Sequence, residues 1–120
     1  MERLKIKTKH TRTGIMADAL LQYAELTTLM VSSETNRVED YEIRFSIAIQ
    51  LHYLFKKKFE TRYHPQTHLT ALELHEAIVL QAALLNFINT ERNDFRRNEM
   101  EIVKNDLHKK RTDLSKTVTP

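Results

Sequence analysis

The spacing of apolar positions predicts helices along most of the chain. Between Gly14 and Val31, residues Ala17, Leu20, Ala24, Leu26, Met30 and Val31 fall on one broad face, and Asp18, Gln22 and Glu25 form the opposite stripe. That is the 3.6-residue period of an amphipathic helix, expected over about 14–31 with Thr13 as its cap. A second helix over about 37–61 carries Val38, Tyr41, Phe45, Ala48, His52, Phe55 and Phe59 in a 3,4 seam, with Ile43, Ile47, Leu51 and Leu54 as a neighbouring row. Two apolar rows mark a helix that touches more than one partner. Thr70-Ala-Leu-Glu73 reads as a capping box, and Leu69 and Leu74 take the staple positions, so a third helix is expected over about 70–89. Its run from Ala77 to Ile88 is broken only by Gln81 and Asn86, which makes it the most buried element.

Polar punctuation divides these segments. Ser32 to Thr35 form a turn, Asn36 to Glu39 resemble a capping box, and Pro65 interrupts the helical pattern between Thr61 and His68. Asn89, Thr90 and Asn93 offer caps for a fourth helix over about 91–113, whose apolar positions are Phe95, Met100, Ile102, Val103 and Leu107. Ile88, Phe95 and Ile102 keep a seven-residue spacing across the polar stretch, so one reading joins the last two helices. A single rod from Thr70 to Leu114 would run about 67 Å, far beyond a domain of this size, and would need a partner. The other reading turns the chain near residue 90 and folds the fourth helix back.

Residues 1–13 alternate apolar and basic only through Leu4 and Ile6, a pattern shared by a short strand and a mobile arm, and are assigned as a basic N-terminal arm. Residues 14–114 make a single helical domain and 115–120 a flexible tail. The expected fold is therefore all-α: a three- to four-helix bundle with a long C-terminal helix and a short basic arm.

Composition narrows the chemistry. The chain has 120 residues with one Gly and no Cys. Phosphate loops, nucleophile elbows and hairpin turns all rely on Gly, and thiol nucleophiles, cysteine zinc sites and disulfides all rely on Cys. The single glycine, Gly14, marks the junction between arm and body. The expectation is a non-enzyme without a cofactor, placed in the cytoplasm. No apolar stretch reaches the length of a membrane span, and the basic N-terminus lacks an apolar signal core.

Charge is segregated. Residues 1–13 carry +4, residues 14–90 carry −3 and residues 91–120 carry +2. Two basic patches follow, one of Arg3, Lys5, Lys7, Lys9 and Arg12, the other of Lys56, Lys57, Lys58 and Arg62. Such groups neutralise phosphates, and a basic strand ahead of two helices resembles, in layout, the ribbon-helix-helix DNA readers. The long first helix and the Gly-free turn after it depart from that pattern.

Other constellations have structural explanations. His64, His68 and His75 have ligand spacing, but Pro65 breaks the helix that would align them. His52 sits on the seam as a core histidine, and Arg44 on the apolar side of its helix calls for a carboxylate, with Asp40 nearest. Glu73 and Glu76 share a face, yet Glu73 is explained by capping.

Two functions lead, ahead of a third reading as a helical enzyme or metal carrier using His64, His68 and His75. The first is an interaction or assembly module that self-associates as a homodimer, or docks a helical protein, through Phe95, Met100, Ile102, Val103 and Leu107. The alternative is a small nucleic-acid-binding accessory factor working through the two basic patches.

Overall fold

Leu4, Ile6 and Thr8 alternate with Lys5, Lys7 and Lys9, and in the computed structural model that alternation is a strand: the first set is buried and the second exposed. The structure describes residues 3–33, 38–61 and 66–118. Six elements follow in order: β1 (Leu4–Lys9), α1 (His10–Ser33), α2 (Val38–Glu60), β2 (Thr67–Leu72), α3 (Leu74–Thr90) and α4 (Asp94–Val118).

The protein is mostly helical, as expected, but it is not all-α. Residues assigned to an arm form β1, which pairs antiparallel with β2 to make a two-stranded ribbon. The register sets Leu4 opposite Leu72, Ile6 opposite Thr70 and Thr8 opposite His68 on the inward face, all six buried. The third helix accordingly starts at Leu74, not Thr70. Thr70 is a strand residue, and the capping box is Glu73 with Glu76, whose Oε1 accepts the Glu73 backbone N–H at 2.8 Å.

At the other junction α1 begins at His10, whose N–H donates to the Gln66 carbonyl at 2.9 Å. Thr13 is therefore not its cap. Buried in the first turn, its hydroxyl donates to the Lys9 carbonyl at 3.2 Å and lies 2.8 Å from Thr8 Oγ1, which ties helix to strand. Gly14 lies inside α1 without positive φ, so it marks no junction.

The last two helices do not form a rod. Asn93 Oδ1 accepts the Arg96 N–H at 3.0 Å, starting α4 afresh, and α4 folds back so that Met100, Val103 and Leu107 are buried in the core. The Cα radius of gyration is 14.5 Å. α4 runs on to Val118, so residues 115–118 continue a helix and are not a tail. α1 runs through Ser33, past the start of the turn expected at Ser32 to Thr35, while Thr35, Asn36 of the expected α2 cap, Arg62, His64 and Pro65 lie outside the described residues.

One core joins all elements. Phe55, Leu51, Phe87, Leu84, Leu80, Met16, Leu20, Met100 and Leu107 are essentially inaccessible, each burial contributing roughly 1.5–3 kcal/mol.

The chain consists of two β-α-α units. Ala19-Leu-Leu-Gln-Tyr23 returns 64 positions on (19 to 83) as Ala83-Leu-Leu-Asn-Phe87. Buried Ile15, Met16, Ala19, Leu20 and Tyr23 match buried Val79, Leu80, Ala83, Leu84 and Phe87. The same offset exchanges the Leu4–Leu72 pair with the Thr8–His68 pair, so the ribbon lies on a pseudo-twofold axis. For the second helices the offset is 52 (48 to 100): Ala48, Leu51 and Phe55 match Met100, Val103 and Leu107. Contacts repeat as well. Arg44 Nη1 donates to the Tyr23 hydroxyl at 3.0 Å, and its mate Arg96 lies over the ring of Phe87, 5.3 Å from the centroid. Arg44 thus takes a phenol where a carboxylate was expected.

Candidate nucleic-acid interface

Because the inward face of the ribbon is sealed into the core, its outward face is held in place. In an extended strand alternate side chains stand about 6.7 Å apart on one side. Arg3, Lys5, Lys7 and Lys9 therefore form a line about 20 Å long, all exposed. Across from them on β2 lie Ala71 opposite Lys5, Leu69 opposite Lys7 and Thr67 opposite Lys9. Leu69 is 62% exposed. Lys5, Lys7 and Lys9 make no ion pair among the described residues, while Arg3 reaches Glu73 at 3.4 Å, where both side chains are well exposed.

Two further lysines brace the ribbon from the helices. Lys58 of α2 donates to the Leu69 carbonyl at 2.8 Å and to Thr70 Oγ1 at 3.0 Å. Lys110 of α4 donates to the Lys5 carbonyl at 2.7 Å and pairs with Asp106 at 3.5 Å. These two contacts are mates under the internal repeat. Partial burial pushes the Lys58 ammonium below its ordinary 10.5.

One end of the ribbon is closed by imidazoles. His10 Nδ1 and His68 Nε2 lie 3.0 Å apart, and His10 stacks on Phe59 at 4.5 Å between centroids. His68 is thus a buried partner of His10, and His75 is exposed beside Glu73. Ligand atoms of Glu73, His75 and Glu76 lie within 4.8 Å of one another, where both carboxylates serve the α3 cap.

The structure divides the sequence-predicted nucleic-acid residues. Arg3, Lys5, Lys7 and Lys9 share one face. Arg12 does not join them: it is paired with Glu99 of α4, and the two side chains are only 17% and 19% exposed. Lys58 is spent on the ribbon backbone, while Lys56 and Lys57 are exposed at the end of α2. The interface set is divided too. Met100, Val103 and Leu107 are consumed by the core of the single chain, and Phe95 and Ile102 remain 60% and 50% exposed.

A cleft of about 480 Å³ lies between α1, α2 and the start of α4, bordered by Asp18, His52, Lys56, Phe59 and Arg96. His52 is satisfied as a core histidine, its Nδ1–H donating to the Ala17 carbonyl at 2.7 Å, and Asp18 is held by Arg96 at 2.8 Å.

Sequence reasoning missed β2 and Lys110. The signal that reveals β2 is the internal repeat: shifting the β1 positions by 64 lands on it. Among the described residues no helix is long and apolar enough to cross a membrane. No family model matches the chain, and comparisons with curated proteins and with solved structures return no significant match.

Proposed function

We propose that the protein binds B-form DNA by laying the outward face of its ribbon into the major groove. The observation that carries this reading is the line of Arg3, Lys5, Lys7 and Lys9 on a ribbon whose other face is fastened into the core. A major groove about 12 Å wide admits a two-stranded ribbon. The deep, narrow major groove of A-form RNA does not. Four cations at about 6.7 Å intervals neutralise phosphates or donate to base edges without any rearrangement of the fold.

The test is fluorescence anisotropy of a labelled duplex titrated with protein over a range of salt. Expected is binding whose log affinity falls with log salt at a slope of about −3 to −4, as for roughly four phosphate contacts. Replacing Lys5, Lys7 and Lys9 together by Thr should flatten that slope. Absence of duplex binding at about 50 mM salt, or binding indifferent to the triple substitution, overturns the reading.

A second reading is self-association through α4, favoured by Phe95 and Ile102, which stand seven apart on one stripe and are exposed. Sedimentation equilibrium at tens of micromolar should then show a dimer that Phe95→Ser with Ile102→Ser dissociates. A strict monomer ends that reading.

A further inference from the structure

The internal twofold that orders the core is broken on the outward face of the ribbon. Under the 64-residue offset the mates of Arg3, Lys5, Lys7 and Lys9 are Thr67, Leu69, Ala71 and Glu73. The inward mates, by contrast, stay buried throughout: Leu4 with His68, Ile6 with Thr70, Thr8 with Leu72. A ribbon assembled from two identical chains presents the same side chains from both strands and suits a palindromic target. Both strands of this ribbon come from one chain, and they carry different chemistry. β1 offers ammonium and guanidinium donors, and β2 offers an exposed leucine, an alanine and a threonine with no charge until Glu73.

Resting on the DNA reading above, we infer that one copy of the chain recognises a duplex site without twofold symmetry. The site places guanines beside β1 and thymine methyl groups beside β2. Guanine O6 and N7 are the major-groove acceptors that lysine and arginine donors select, and the C5-methyl of thymine is the apolar feature of that groove. Leu69 is the residue assigned to it. It is the large apolar side chain on the outward face, with its backbone carbonyl held by Lys58. Lys7, directly opposite Leu69, is the central donor.

The experiment is selection of bound sequences from a randomised duplex pool, followed by native mass spectrometry of the complex with the selected site. Expected are a consensus that does not read the same on both strands and one protein copy per duplex. Replacing the consensus thymines by deoxyuridine removes only their methyl groups and should weaken binding about fourfold per contacted methyl. Leu69→Ala should erase that difference and leave the salt slope unchanged. Leu69 is exposed, so the variant should fold as the parent does, which circular dichroism and thermal melting confirm before use. A palindromic consensus bound by two copies, absence of any consensus, or an unchanged thymine preference in Leu69→Ala overturns the inference while duplex binding still stands. Absence of duplex binding at about 50 mM salt overturns both.

Discussion

Gly14 lies against the ring of Phe59: a Cβ on Gly14 would stand 2.8 Å from Phe59 Cε2 and 2.9 Å from Cδ2. The one glycine of the chain therefore serves a close approach between α1 and α2. Ordinarily Gly→Ala inside a helix stabilises by about 1 kcal/mol. At this position the added methyl drives the ring off its stack with His10, an overpacking cost of about 1–3 kcal/mol. Gly14→Ala should lower stability by about 1 kcal/mol net, measured as a fall in thermal midpoint of roughly 4 °C. A raised midpoint would show that Phe59 yields freely.

The fold-back of α4 predicts a contrast along one helix. Leu107 is fully buried, so Leu107→Ala should destabilise by about 2–5 kcal/mol. Ile102 is half exposed, and Ile102→Ser should stay within about 0.5 kcal/mol of the parent. Urea unfolding of both variants measures the difference. Equal, small effects would mean that α4 is not docked.

The four helices were legible because apolar residues recur at helical spacing, and Asn93 was a readable cap. The ribbon was not legible, for a specific reason. The inward positions of β2 are His68, Thr70 and Leu72, two polar and one apolar, so no hydrophobic alternation announces a strand. Thr70 to Glu73 also satisfies the formula of a capping box three residues ahead of the real one. Only pairing with β1, 58 to 68 residues distant in sequence, decides between the two. The basic face was half visible. Lys5, Lys7 and Lys9 show their alternation, but Arg12 belongs to a helix turn whose partner Glu99 lies far along the chain.

That Arg12–Glu99 pair is mostly shielded from water, so it should couple more strongly than surface pairs, which contribute about 0–1 kcal/mol. A double-mutant cycle with Arg12→Met and Glu99→Gln should give a coupling of about 1–2 kcal/mol, with each single change more costly than the double change implies. Additive effects would remove the pair from the account of how α4 is anchored.

Lys58 makes stability depend on alkaline pH. Burial lowers its ammonium pKa below 10.5, so the folded protein binds fewer protons than the unfolded chain just beneath that value. The charged form is disfavoured by folding, and stability contributed at this position rises as pH climbs toward about 10.5. The thermal midpoint of the parent relative to Lys58→Met should therefore increase as the pH approaches 10.5 from below. A constant difference would contradict it.

A two-stranded sheet has two open edges, and open edges invite a third strand from a neighbouring molecule. Lys58 occupies the Leu69 carbonyl on one strand and Lys110 the Lys5 carbonyl on the other, so an incoming strand would meet one ammonium at either edge that it would have to displace. The ribbon is thereby kept two strands wide, and strand-by-strand polymerisation is opposed from both sides by the same helices that carry the core.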